Sequence, residues 1–148
     1  HSQGKQPIRI TIDRNNKLKH NRWNIMDQHA DTIILHNEKS KIVDNIKYID
    51  IRKISQKQNS KMLVKIIKTL YKEGVKSILI EGGKTILENC IKEDLWDEIR
   101  IFSCNKIINE GIKAPKINYK KLKKKKIGND FLTILHNKKS EKKIEQAF

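Results

Sequence analysis

The residues best suited to chemistry lie in one ten-residue stretch. An apolar run, Ile78–Leu79–Ile80, ends in Glu81–Gly82–Gly83 and is followed at once by Lys84–Thr85–Ile86–Leu87. A strand running into two glycines and then a helix brings free backbone N–H groups and the positive end of the helix dipole to one edge, where phosphates bind. Glycine suits the corner because a Cβ would block the approach of a ligand or forbid the turn. The same spacing also describes a simple tight connection between two elements. Glu81 has two readings as well. A carboxylate at the end of an apolar strand is costly unless solvated, paired or facing a ligand, and one at a helix entry is stabilised by the dipole.

Other reactive side chains offer no comparable pattern. His20, His29, His36 and His136 lack metal-ligand spacing, so surface or strand-edge positions are expected and no metal site is assigned. Cys90 and Cys104 lack the CxxC pattern of a zinc or redox site and read as two reduced, partly buried thiols of an intracellular protein. Trp23 and Trp96 suit a core or an interface better than a stacking platform.

The elements that must position the diglycine follow from periodicity. From Ser60 to Lys72 the apolar residues Met62, Leu63, Ile66, Ile67, Leu70 and Tyr71 recur at three and four residues, predicting an amphipathic helix with Ser60 as N-cap and Gly74 as stop. Val75 to Ile80 predicts a strand, and Lys84 to Ile91 a second helix. Upstream, Ile8 to Asp13 alternates and is rich in β-branched residues, ending in the turn-forming Arg14–Asn15–Asn16. Asp31 to His36 and Tyr48 to Ile51 are further strand candidates, with connections too short for helices. Downstream, Ile99 to Ser103 reads as a strand, Gly111 and Pro115 bracket an irregular segment, and Leu122–Ile127 and Phe131–His136 flank the turn signal Gly128–Asn129–Asp130.

Composition bounds the class. The 148 residues suffice for one domain with its own core, and no apolar run approaches a membrane span. The net charge of +16 invites a nucleic-acid reading. Yet 28 of the 33 basic residues are Lys and only 5 are Arg, spread along the chain among Ile and Asn, which argues against a dedicated nucleic-acid surface. The densest basic run, Lys120 to Lys126, alternates around Leu122 and Ile127 as a solvated edge strand guarded by charge does.

Four landmarks in order carry a family resemblance: Pro7–Ile8–Arg9–Ile10–Thr11–Ile12–Asp13; Ile80–Glu81–Gly82–Gly83; Leu95–Trp96–Asp97–Glu98–Ile99 with Gly111–Ile112–Lys113–Ala114–Pro115; and Gly128–Asn129–Asp130–Phe131–Leu132. In these the chain resembles the reductase domain of the bifunctional riboflavin-biosynthesis deaminase/reductase, a relative of dihydrofolate reductase, from Gln6 to Asn137. The resemblance implies an α/β fold, a dihydrofolate-reductase-like three-layer α/β/α arrangement. Its mixed sheet would be mostly parallel, with strands near Ile8, Ile33 and Val75, and a C-terminal antiparallel hairpin would follow. Residues 1–137 would be the C-terminal two-thirds of the reductase domain and residues 138–148 a charged tail. The lysine-bearing strand and Ser-Leu-Asp-Gly-like segment that open the family's domain, and the zinc deaminase domain upstream, have no counterpart in this sequence.

The same resemblance implies NADPH as cofactor and, as activity, reduction of 5-amino-6-(5-phosphoribosylamino)uracil to its ribitylamino form. Carried over position by position, Glu81 would contact the substrate. The cofactor would be touched by Gly82, Gly83, Lys84, Thr85, Ile86, Leu87, Glu88 and Asn89, and by Arg14. A cis Gly82–Gly83 peptide, a cytoplasmic location and a homo-oligomer with a contact at Ile99 to Phe102 are further expectations. The alternatives are an inactive or partial nucleotide-binding remnant of that domain, or a basic RNA-binding module.

Overall fold

The computed structural model describes residues 4, 6–18, 23–55, 62–107, 109–118 and 124–137. The chain divides into two compact units, His1–Gly74 and Val75–Phe148. The Ser60 cap and the 138–148 tail lie outside the described residues.

The first unit is built on a four-stranded sheet. Its strands are β1 (Arg9–Asp13), β2 (Thr32–His36), β3 (Lys41–Val43) and β4 (Ile46–Asp50), in the order β1-β2-β4-β3. β1 and β4 both run parallel to β2, while β3 returns antiparallel along β4. This is the parallel-rich mixed sheet expected from the strands near Ile8 and Ile33. β2 is buried at all five positions, as a central parallel strand covered on both faces must be. On one face Ile34, Ile46 and Tyr48 pack with Met26, and Leu18 and Ile25 close over them. On the other, Lys47 of β4 pairs with Glu73, just past α2 (Met62–Lys72), which puts that end of the helix over the sheet. The short helix α1 (Arg52–Ser55) precedes α2.

β3 was not foreseen. Only three residues long, it is closed onto β4 by a two-residue turn, Asp44–Asn45, with Asp44 at φ 53. Asp and Asn enter this left-handed region more readily than most residues, which is the signal the sequence carried. α2 buries Leu63, Ile66 and Leu70 as its period requires and ends at Gly74, whose φ of 86 lets its N–H reach the Tyr71 carbonyl at 3.0 Å. Tyr71, expected on the buried face, is 72% exposed. His36 departs in the opposite sense: it lies at the end of β2 with only 3% of its surface exposed, against Tyr48 at 5.2 Å between rings.

The second unit contains helix α3 (Lys84–Lys92) and an antiparallel sheet of β5 (Glu98–Ser103), β6 (Lys124–Ile127) and β7 (Asp130–His136), in the order β5-β7-β6. The expected hairpin is β6–β7, with Ile127 opposite Asp130 across Gly128–Asn129 and Gly128 at φ 58. Lys124 to Lys126 lie on an exposed edge strand, as their alternation indicated. α3 ends in a Schellman pattern: Leu95 N–H reaches the Cys90 carbonyl at 2.9 Å and Asp94 N–H the Ile91 carbonyl at 3.2 Å, with Asp94 at φ 56 in the place glycine usually takes. Cys90 is buried and Cys104 exposed, both as free thiols.

One predicted element is not formed. Residues 75–80 form no strand, make no backbone–backbone hydrogen bond to a described residue, and expose Leu79 at 83%. β-branched and apolar residues favour a pleated, paired surface, but propensity acts only through the neighbour that supplies the ladder. No described strand does so here.

Candidate functional site at a diglycine helix entry

Two groups of candidate residues lie on different units, and each is described by itself. In the second unit Gly83 is the N-cap of α3, with φ 64 and ψ 123 and no side-chain cap. That backbone conformation lies outside the left-handed helical well and is nearly restricted to glycine. A Cβ at Gly83 would sit 3.9 Å from Ile86 Cγ2, whereas one at Gly82 would meet nothing within 4 Å. Every peptide bond described is trans, Gly82–Gly83 included, so the expected cis bond is not present. The Leu87 N–H bonds back to the Gly83 carbonyl at 3.2 Å, and the first turn of α3 holds no acidic residue. The N–H groups that open a helix have no partner within it, and here no capping side chain takes their place.

Of the sequence-predicted residues in this stretch, Glu81, Gly82, Gly83, Lys84, Thr85, Glu88 and Asn89 are exposed, and Ile86 and Leu87 are half-buried. Glu81 therefore keeps its hydration, and the cost expected of a carboxylate at the end of a buried strand does not arise. Lys84 and Glu88 approach to 3.7 Å across one turn. Cys90, on the inner side of the same helix, has its thiol pushed up by burial and then by the nearby Glu93 carboxylate, which makes it a packing residue rather than a nucleophile.

In the first unit, Arg14 follows directly on the C-terminal end of β1. The ends of the three parallel strands align as Asp13, His36 and Asp50. Asp13 closes the loop beyond it: its carboxylate accepts the N–H groups of Lys17 at 2.9 Å and Leu18 at 2.8 Å. Asn37 donates its side-chain amide to the Arg14 carbonyl at 2.9 Å, and Asn16 donates to Glu38 Oε1 at 2.5 Å. Asp13, Asn16 and Asn37 were not singled out in the sequence. The signal available was an Asp at a strand end followed, one residue on, by Asn-Asn, the composition of a side-chain-closed turn. At the third strand end, the Arg52 guanidinium and backbone N–H lower the Asp50 carboxyl to about 2.

Among the described residues no cluster of three His, Cys, Asp or Glu side chains is placed to hold a metal ion, and no helix is long and apolar enough to cross a membrane. Trp23, expected in a core or interface, is 55% exposed.

Comparison with known proteins adds the family. The curated riboflavin biosynthesis protein RibD of Aquifex aeolicus is 25% identical over 131 residues, which cover 84% of this chain and 36% of that protein. A solved structure from Thermotoga maritima is titled a diaminohydroxyphosphoribosylaminopyrimidine deaminase/5-amino-6-(5-phosphoribosylamino)uracil reductase. It is similar with a TM-score of 0.68 at 19% identity, covering 90% of this chain and 38% of that one. The chain thus spans little more than a third of the length of these relatives. The likeness in structure bears out the α/β, dihydrofolate-reductase-like fold expected from the landmarks. With its model matching residues 1–133, the RibD C-terminal domain family is the one to which this chain belongs.

Proposed function

We propose that the chain is the larger part of a cytoplasmic NADPH-dependent reductase domain that converts 5-amino-6-(5-phosphoribosylamino)uracil to its ribitylamino form. Membership of the family over residues 1–133 supports the reductase reading, and the name of the Thermotoga maritima relative, a 5-amino-6-(5-phosphoribosylamino)uracil reductase, supports the substrate. The observation that carries it is the open backbone at Gly82–Gly83, where the uncapped start of α3 meets a glycine with free space around it. This suits a pyrophosphate, since helix N–H groups and the dipole favour an anion and no Cβ stands in its way.

When bound, NADPH would supply the hydride. The chain's own residues would do the positioning: Gly82, Gly83, Lys84 and Thr85 beside the phosphates, Ile86 to Asn89 along the first turns of α3, and Arg14 at the end of β1. Glu81 would hold a substrate hydroxyl or amino group by accepting its hydrogen. A copy-to-copy contact through β5 would complete the proposal. β5 is an edge strand, and Phe102 on it is 65% exposed. A second reading, nucleotide binding without turnover, is favoured by one observation: among the described residues no strand pairs with residues 75–80 to brace the corner.

The test is NADPH oxidation followed with and without the pyrimidine substrate, beside NADPH-induced thermal stabilisation, which binding to the native state produces by mass action. Stabilisation together with substrate-dependent oxidation, lost in Glu81→Gln, is the expected result. Stabilisation without oxidation supports the second reading, and neither effect defeats both.

A further inference from the structure

β6 closes the sheet of the second unit on one side: its inner edge pairs with β7, and its outer edge meets no described strand. Three of its four residues are lysines, Lys124, Lys125 and Lys126, and all are exposed. Opposite them on β7 stand Thr133, Leu132 and Phe131, none of them acidic, while Asp130 lies at the turn opposite Ile127. The ion pairs of this sheet gather around Glu98 of β5, which meets Arg100 at 2.6 Å and His136 at 3.8 Å. Among the described residues only Lys47 and Lys84 form lysine ion pairs, so the three ammonium groups of β6 have no carboxylate among them. The edge that carries them is well braced. β7 is bonded on both sides and buries Thr133 and Leu135, and Gly128 at φ 58 closes the turn.

Successive residues of a strand point to opposite faces, so Lys125 stands on one face of the sheet and Lys124 and Lys126 on the other. A chain that neutralises all three must reach both faces at once. A strand added in the plane of the sheet does so, because its residues alternate too, with cross-strand Cβ atoms about 5 Å apart. The unpaired N–H and C=O groups of an edge supply its backbone hydrogen bonds. A nucleic-acid backbone follows one face or groove, and there β6 offers it at most two of the three charges, no arginine fork and no aromatic residue to stack a base. A second copy of β6 would set lysine against lysine, which is destabilising. The charge that keeps like edges apart thus selects an acidic strand.

We infer that the outer edge of β6 is a docking site for an extended acidic segment of a partner protein, which adds to the sheet as a further strand with carboxylates against Lys124, Lys125 and Lys126. A braced edge needs no ordering of its own before the partner pairs with it, which lowers the cost of binding. These lysines lie outside the residues proposed to hold cofactor and substrate, so docking here is independent of the reductase reading.

The experiment titrates the full chain into a labelled peptide whose Glu-Glu-Glu centre is flanked by Thr and Val, read by fluorescence anisotropy at low ionic strength. Wild type should bind it, and should bind the matching Gln-Gln-Gln peptide about tenfold more weakly. Methylating the central backbone nitrogens of the Glu peptide removes edge hydrogen bonds and keeps every charge. It should weaken binding severalfold, a loss that a purely electrostatic contact would not show. Lys125→Glu alone, and Lys124→Glu with Lys126→Glu, should each weaken the Glu peptide severalfold at unchanged melting temperature and strengthen binding of a Lys-Lys-Lys peptide. Were a variant not to fold, the comparison of peptides on wild type still decides. No binding of the Glu peptide, equal binding of the Gln or the N-methylated peptide, or a loss confined to the lysines of one face overturns the docking edge. Single-stranded poly(U) is the rival probe, and tighter binding of poly(U) than of the Glu peptide assigns the edge to RNA and overturns it as well.

Discussion

At the scale of single residues, the two glycines of the corner separate folding from function. Gly83 has φ 64 and ψ 123, so Gly83→Ala should cost about 1–3 kcal/mol of stability from backbone strain, read in a urea melt. Gly82 has ordinary backbone angles and open space around it, so Gly82→Ala should stay within about 0.5 kcal/mol of wild type. Its added methyl would nevertheless stand where the proposed site receives a pyrophosphate, and on that proposal NADPH-induced stabilisation should fall. Unchanged stabilisation in Gly82→Ala would remove the diglycine from the cofactor site. A second residue-scale effect concerns acid. Asp50 is lowered to about 2 in the fold, chiefly by the Arg52 side chain, from an ordinary value of 3.8. A depressed carboxyl contributes stability that is complete above the unfolded value and is lost as pH falls through the folded one. Arg52→Met should therefore raise the midpoint of acid unfolding, with the two proteins converging below about pH 2. Asp27 acts in the same sense, lowered first by the His29 N–H and then by Arg9.

At the scale of elements, much of the fold is legible because period and punctuation agree. The alternation of Ile8–Asp13 gave β1 and the three-and-four spacing of Met62–Leu70 gave α2. Gly74 and Gly128 stand at the positive-φ positions their type allows, at the end of α2 and in the β6–β7 turn. What escaped is tertiary in origin. β3 is too short to show a period, and His36 is buried because β2 has a neighbouring strand on each side, which no local pattern announces. Asn137 was equally invisible. Its buried amide donates to Asp94 at 2.7 Å and to the Trp96 carbonyl at 2.9 Å, while its backbone N–H reaches the Asp97 carbonyl at 2.8 Å. One side chain thus pins the end of β7 to the strained turn that leaves α3. Asn137→Ala should cost about 1–3 kcal/mol, because it removes two hydrogen bonds of a buried amide, one of them to a carboxylate. Hydrogen exchange should show the loss concentrated in residues 93–98 and 130–137, and a uniform loss of protection would contradict the pinning role.

At the scale of the whole molecule, the decisive feature is an apolar strand sequence without a ladder to any described residue. Val75 to Ile80 has the composition of a buried parallel strand and leads to the corner that the proposed function depends on, yet its backbone bonds to no described neighbour and Leu79 stands 83% exposed. The candidate site residues follow from resemblance, since they lie in the motif. The lack of pairing among the described residues was not legible, since a ladder depends on a second strand that the motif does not contain. An apolar run with no pairing to the described residues is also a liability, because open strand edges recruit other chains. Leu79→Lys tests whether the exposure holds in solution. If water covers Leu79, the substitution should change the unfolding free energy by less than about 0.5 kcal/mol and raise the concentration at which the chain begins to associate, as surface changes away from packed features do. If a neighbouring strand instead covers that position, a lysine placed there buries an uncompensated charge and should cost several kcal/mol. A urea melt of the variant beside light scattering against concentration separates the two outcomes, and the second would show that the run is paired.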